Sequence, residues 1–189
     1  KLARIAPGGA LKLERDAYLD RIDGMVFGDD VAQGVRRGRE FAHPGLRFRF
    51  EVPPDFVMFN NPDKVVARGP GKSVIAFDMA EKAVRSLTTY LVQDWGRKYT
   101  LRGVETIDVN GMEAATGQGR TMTRNGARDL RLVVIRGDGN KIFRFIFITP
   151  PELTRGLATG LQRTTYSFRR LTLRQARAIR PLRLAVIAV

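Results

Sequence analysis

Of the side chains that most often carry nucleophilic or thiolate chemistry, this chain offers one histidine, three serines and no cysteine. Without cysteine there is no disulfide framework, no thiolate zinc site and no cysteine nucleophile. A single His43 cannot supply an HExxH pair, and it stands in His43-Pro44-Gly45, a turn signal, with no serine or acid at an informative spacing. It reads as a turn residue rather than a base. Ser73, Ser86 and Ser167 sit in no GxSxG elbow. Gly71-Lys72-Ser73 has the end of a phosphate-binding loop, but the first glycine position is Val66 and the context is strand–turn–strand. Gly117-x-Gly119 lacks a third glycine and precedes a strand, which excludes a dinucleotide fingerprint. Asp29-Asp30 has no further acidic ligand beside it and reads as a turn, not a calcium loop. Phe143, Phe145 and Phe147 share one parity and would stack bases only on an open basic platform, so packing is the expected role. No catalytic, cofactor-binding or metal residue is assigned.

Charge gives one more lead. The chain carries 33 basic and 19 acidic residues, a net +14. Residues 151–189 hold eight arginines and one acid, Glu152. Arg169, Arg170, Arg174 and Arg177 are therefore the candidate contacts to an anionic partner, with Arg170, Arg174 and Arg177 expected on one face of a short helix. The alternative is that these arginines lie on solvated faces or pair with other parts of a longer chain. No groove-reading motif accompanies them, so sequence-specific nucleic-acid binding is not expected.

The elements that must carry these residues are legible from periodicity. Leu13, Ala17, Tyr18 and Ile22 have near-helical spacing and end at Gly24. Leu46, Phe48, Phe50 and Val52 alternate with Arg47, Arg49 and Glu51, which predicts a strand with one wet face. Leu87, Tyr90, Leu91 and Trp95 predict a helix over Arg85–Lys98. Asn110-Gly111, Asn125-Gly126 and Gly137-Asp138-Gly139-Asn140 predict three hairpins that tie four strands into a meander. Pro150-Pro151-Glu152 opens a helix to about Arg163 with a stripe of Leu153, Leu157 and Leu161, and Leu171–Ile179 reads as a short basic helix.

The predicted class is α+β: a single antiparallel sheet of about seven to eight strands with helices packed on it. Residues 1–33 are expected to be a linker and short docking helix, 34–165 the α+β domain, and 166–189 a basic helix and the start of a further module. The absence of an initial methionine and the apolar run Ala185–Val189 suggest a piece of a longer protein.

Two stretches carry a resemblance. Tyr18–Asp30 with Gln33-Gly34-Val35, Arg37–Phe41, His43–Leu46 and Phe48–Pro53 resembles the segment after the catalytic domain in bacterial HExxH zinc metallopeptidases of the prenyl-protease/HtpX family. Tyr166–Leu171 with Arg180–Arg183 resembles their C-terminal portion. The order of sheet and helices is also similar to PsbP/Mog-like α+β domains. The first resemblance implies a non-catalytic accessory domain that docks substrates or partners in envelope-protein quality control, periplasmic or membrane-associated. Its partners would be the parent's catalytic domain and protein substrates, with an anionic membrane surface or cell-wall polymer as a further one. Zinc would lie only in the parent's upstream domain, with no cofactor in this chain. The alternatives are a free-standing PsbP/Mog-type binding module, or a binder of anionic polymers that uses the arginine-rich end.

Overall fold

The computed structural model describes residues 31–124 and 126–179. The expected docking helix at 14–22 and residues 180–189, where a further module is expected to start, lie outside the described residues. The fold is α+β. A short four-stranded sheet is made by β1 (Val35–Arg37), β2 (Glu40–His43), β3 (Phe48–Glu51) and, from the far end of the chain, β11 (Arg169–Arg170), in the order β1-β2-β3-β11. A larger seven-stranded sheet is made by β4 (Val57–Asn61), β5 (Lys64–Gly69), β6 (Ser73–Glu81), β7 (Arg102–Val109), β8 (Met112–Thr123), β9 (Gly126–Arg136) and β10 (Lys141–Thr149). Its order is β4-β5-β6-β10-β9-β8-β7, and every pairing in both sheets is antiparallel.

The expected antiparallel sheet of about seven to eight strands is therefore present, with seven, and the structure adds a second one. The alternating segment up to Val52 does not join the large sheet. Pro53-Pro54-Asp55 interrupts the ladder, because proline donates no hydrogen bond to it, and the preceding strands stack across the large sheet instead. Strand β3 begins at Phe48; Arg47 adopts φ 54° in the turn before it rather than sitting on the strand.

Phenylalanine fills the space between the sheets. Phe41, Phe48 and Phe50 from the small sheet meet Phe77, Phe143, Phe145 and Phe147 from the large one. Phe168, the residue immediately after the long helix, is fully buried among them and stacks on Phe48 at 5.3 Å between ring centroids. Phe168 and Leu171 are both buried, and Phe168 belongs to this same cluster.

The helices cover opposite faces of the large sheet. Helix α2 (Pro151–Ser167) lies on the phenylalanine side through Leu157 and Leu161. On the other side lies α1, one α-helical turn at Leu87–Thr89 that continues as π-helix over Tyr90–Trp95. The helix expected over Arg85–Lys98 is thus shorter and wound differently. Ser86 Oγ accepts the Thr89 N–H to start it, and the Gly96 N–H closes it on the Leu91 carbonyl at 2.8 Å, a five-residue step. That winding keeps Leu87, Tyr90 and Leu91 together over Leu130, Leu132, Val134 and Ile142. The basic helix α3 (Leu173–Ala178) is also shorter than expected, since Thr172 and Gln175 form a reciprocal cap that fixes its start.

Candidate functional site

Helix α2 is pinned at both ends and stands off the sheet between them. At its start, Thr154 Oγ1 donates to Asp129 Oδ2 at 2.9 Å and shares a 2.7 Å hydrogen bond with Thr149. At its end, Asn110 in the β7–β8 turn donates through Nδ2 to the carbonyls of Tyr166 and Phe168, at 2.9 and 2.7 Å. Ser167 Oγ accepts the Glu51 N–H at 2.8 Å and ties the same end to β3. Asn110 and Gly111 both have positive φ, 52° and 80°, as a type I′ turn requires.

Between these pins runs a groove of about 910 Å³, floored by β7, β8, β9 and β10 and walled by α2. The wall is Thr154, Ala158, Leu161 and Thr165, at i, i+4, i+7 and i+11 of one helical stripe. Three of those four side chains are small, so the helix cannot fill the space beneath it. The floor changes character along the strands. Ile107, Val133 and Phe147 make its inner end apolar; Gln118, Arg120, Asp129 and Arg131 make its outer end polar. The alternation that aims Met112, Ala114 and Val133 into the core aims Gln118, Arg120 and Arg131 at this outer end.

Arg120 Nε bonds Asp129 Oδ1 at 2.7 Å. That hydrogen bond holds the Asp129 carboxyl below its ordinary value, against a smaller opposing effect of burial, and raises Arg120 in turn. Arg102 and Arg131 stand on the same rim, exposed and without an ion pair among the described residues. The groove therefore presents an apolar inner end, hydroxyls midway and cationic groups at its mouth. This arrangement can bind a ligand with an apolar body and a polar end. Among the described residues no three His, Cys, Asp or Glu come together to hold a metal ion.

The arginines singled out by sequence are elsewhere and are divided. Arg169 and Arg170 are on strand β11, paired with Arg49 and Phe48 of β3, so Arg170 shares no helical face with Arg174 and Arg177. The cap at Thr172 is the reason, together with the Leu171 N–H, which donates to the Arg47 carbonyl at 2.7 Å and extends the chain there. Arg170 instead pairs with Asp138, which also receives Arg47 at 3.7 Å. With Lys141 these groups line a second, smaller notch of about 330 Å³. Arg174 and Arg177 remain exposed on α3. His43, expected in the turn, is instead the last residue of β2, paired with Phe48, and opens the turn: its Nδ1 accepts the Leu46 N–H at 3.1 Å, and burial lowers its pKa below 6.5. Ser73 follows a tight turn containing Gly71 and Lys72, both with positive φ, and has no helix N-terminus behind it. The groove itself escaped the sequence reading. Its one signal was the run of small residues along the second stripe of α2.

No protein-family model matches this chain, and no curated protein matches it. Solved structures do resemble it. The cyanobacterial PsbP protein CyanoP of Synechocystis sp. PCC 6803 superposes with a TM-score of 0.53 at 15% identity, over 76% of this chain and 98% of that one. LpqN of Mycobacterium tuberculosis, a protein involved in cell envelope biogenesis, gives 0.53 at 11% identity, over 66% and 83%. A Bacteroides thetaiotaomicron protein gives 0.54 at 14% identity over 72% of this chain, which spans only 50% of that protein's length. At such identities the likeness is one of fold: this chain has a PsbP-like α+β architecture.

Proposed function

We propose that this chain is a non-catalytic binding module whose groove under α2 docks a segment of a partner protein. The observation that carries the reading is the groove's gradient, from Ile107, Val133 and Phe147 inside to Arg102, Arg120 and Arg131 at the mouth. A cleft with an apolar floor and few polar groups is how protein surfaces hold a ligand in one orientation. Fold likeness alone would not license this, since one architecture hosts many functions. The test is Ala158→Trp, which fills the groove from an exposed wall position and leaves the core side chains untouched. An array of ten-residue peptides should yield binders to the wild-type chain, and Ala158→Trp should weaken them at least tenfold. Unchanged binding by Ala158→Trp would place the site elsewhere.

The finer reading is an accessory domain of a zinc metallopeptidase of the cell envelope, docking substrates or partners. Its support is the resemblance carried by residues 18–53 and 166–183. LpqN's involvement in cell envelope biogenesis is in keeping with that location. An HExxH motif encoded upstream of Lys1 in the same reading frame is the expected finding. A frame that begins close to Lys1 would leave a free-standing module instead.

A further inference from the structure

The two edges of the large sheet are finished differently. At β4, Arg36 donates to the Met58 carbonyl at 2.7 Å, and Asn60 Nδ2 donates to the Gln33 and Gly34 carbonyls at 3.3 and 3.1 Å. The segment that leads into β2 thus covers that edge. Strand β7, at the other edge, has no such cover among the described residues. The Asn110-Gly111 turn makes Val109 and Met112 a hydrogen-bonded pair, so by alternation Val109, Ile107 and Glu105 direct their backbone groups to β8. Thr106 and Asp108 turn N–H and C=O outward. Both are exposed, and no backbone bond from either leaves the sheet ladder among the described residues. An open edge of this kind is a template for another strand.

The side chains of β7 make that edge selective. Ile107 and Glu105 line the groove under α2, while Val104 packs on the α1 side of the sheet. Regular alternation would put Arg102 on the α1 side as well. The ladder shifts register between Arg102 and Glu105, where Gly103 has φ 56°. This bulge adds one residue to β7 and returns Arg102 to the groove. Along the groove the strand therefore reads apolar, acidic, basic at Ile107, Glu105 and Arg102, in steps of about 7 Å. Neither Glu105 nor Arg102 has an ion pair among the described residues. Tyr166, 44% exposed, stands at the Ile107 end, where its carbonyl accepts from Asn110. A strand added outside β7 would meet Ile107 and Glu105 at non-hydrogen-bonded positions, where facing side chains come closest. Opposite charges placed there are favourable.

Resting on the groove as a docking site, we infer that the partner segment adds to β7 as an antiparallel strand with the pattern apolar-x-basic-x-acidic. Its apolar side chain faces Ile107 and Tyr166, its basic one Glu105 and its acidic one Arg102. In the antiparallel sense one ligand residue exchanges both backbone bonds with Thr106, and the order of charges fixes the direction. Ten-residue peptides, acetylated and amidated, that carry Leu-x-Lys-x-Glu among small polar residues are titrated against the full chain by fluorescence anisotropy. They should bind about tenfold more tightly than the reversed order Glu-x-Lys-x-Leu. N-methylation of the residue between Leu and Lys, which faces Thr106, should abolish binding. N-methylation of the Lys, whose N–H points away from β7, should change it by no more than about twofold. Glu105→Lys should weaken binding about tenfold, and a peptide with Glu in place of its Lys should restore it. Asp63→Lys, the same change of charge at an exposed turn beyond β4, should do neither. Equal affinity for the two orders, equal effects of the two methyl groups, or no rescue of Glu105→Lys would overturn the inference. If peptides without the pattern bind and are lost with Ala158→Trp, the groove stands as a docking site and only the added strand is overturned. Binding indifferent to Ala158→Trp would overturn the groove reading and the strand with it.

Discussion

The sharpest contrast between single residues is that between Phe145 and Arg47. Phe145 is fully buried and meets the rings of Phe50, Phe77, Phe147 and Phe168. Its truncation to Ala should destabilise the chain by ~3–5 kcal/mol, the usual cost of a large cavity. Arg47→Ala removes only a long, half-exposed pairing with Asp138 and should change stability by less than about 0.5 kcal/mol in chemical denaturation. His43 gives a pH signature. Burial lowers its folded pKa, so the unfolded chain binds this proton more readily, and stability rises with pH. That contribution is complete above the ordinary value of 6.5 and is lost as pH falls through it toward the folded pKa. Protonation would also set an N–H on Nδ1 against the Leu46 N–H it now accepts. His43→Gln should therefore flatten the fall in denaturation midpoint between pH 7 and 5; an identical fall in both proteins would assign it to carboxylates. The phenylalanine parity of β10 was legible because a strand with two buried faces writes both in sequence. Phe168 was not, since nothing local distinguishes a core anchor from an aromatic in a basic tail.

The elements written most plainly were those whose turns dictate backbone geometry. Asn110-Gly111 requires positive φ at two successive residues, and the β7–β8 hairpin follows. What periodicity could not convey was which sheet a strand joins, because β3 alternates equally well in either. Nor could it convey the π winding of α1, since Tyr90, Leu91 and Trp95 make a stripe under either winding. The partner that holds α1 also comes from elsewhere in the chain. Arg144 of β10 faces Asp78 of β6 in register and bonds both its oxygens, at 2.6 and 2.7 Å. It also donates to the Tyr90 hydroxyl at 3.1 Å and lies 5.2 Å from the Trp95 ring centroid. Burial alone would lower the Arg144 pKa, but Asp78 and Tyr90 together more than reverse this, so the guanidinium is held charged. Asp78→Ala leaves that charge half-buried without its carboxylate and should cost about 1.5–3 kcal/mol. Adding Arg144→Met should recover part of the loss, since an apolar group can replace a complete pair at small cost. A double-mutant cycle by urea denaturation checks this, and strict additivity of the two changes would mean that the pair contributes nothing of its own.

At the scale of the molecule, the charge of +14 is uneven, and the structure sorts the arginines near the C-terminal end into matched and unmatched. Arg170 already has Asp138, and that carboxylate is shared with Arg47. Arg169, Arg174 and Arg177 are exposed and have no ion pair among the described residues. Arg174 and Arg177, three apart on α3, are neighbours on its surface and repel one another by a few tenths of a kcal/mol. An anionic surface within the screening distance of about 10 Å at 0.1 M salt would relieve that repulsion, and most of the gain should vanish as salt rises. The full chain should accordingly co-sediment with vesicles containing anionic lipid at low salt and largely lose them at physiological salt. Changing Arg169, Arg174 and Arg177 together to Gln should remove most of that binding. Arg170→Gln should remove less than any one of the three, because Asp138 already neutralises its charge in place. The single change separates a surface built of unmatched arginines from one governed by net charge alone. If all four positions contributed equally, the arrangement around Asp138 would have no bearing on binding, and the basic end would act only through its total charge.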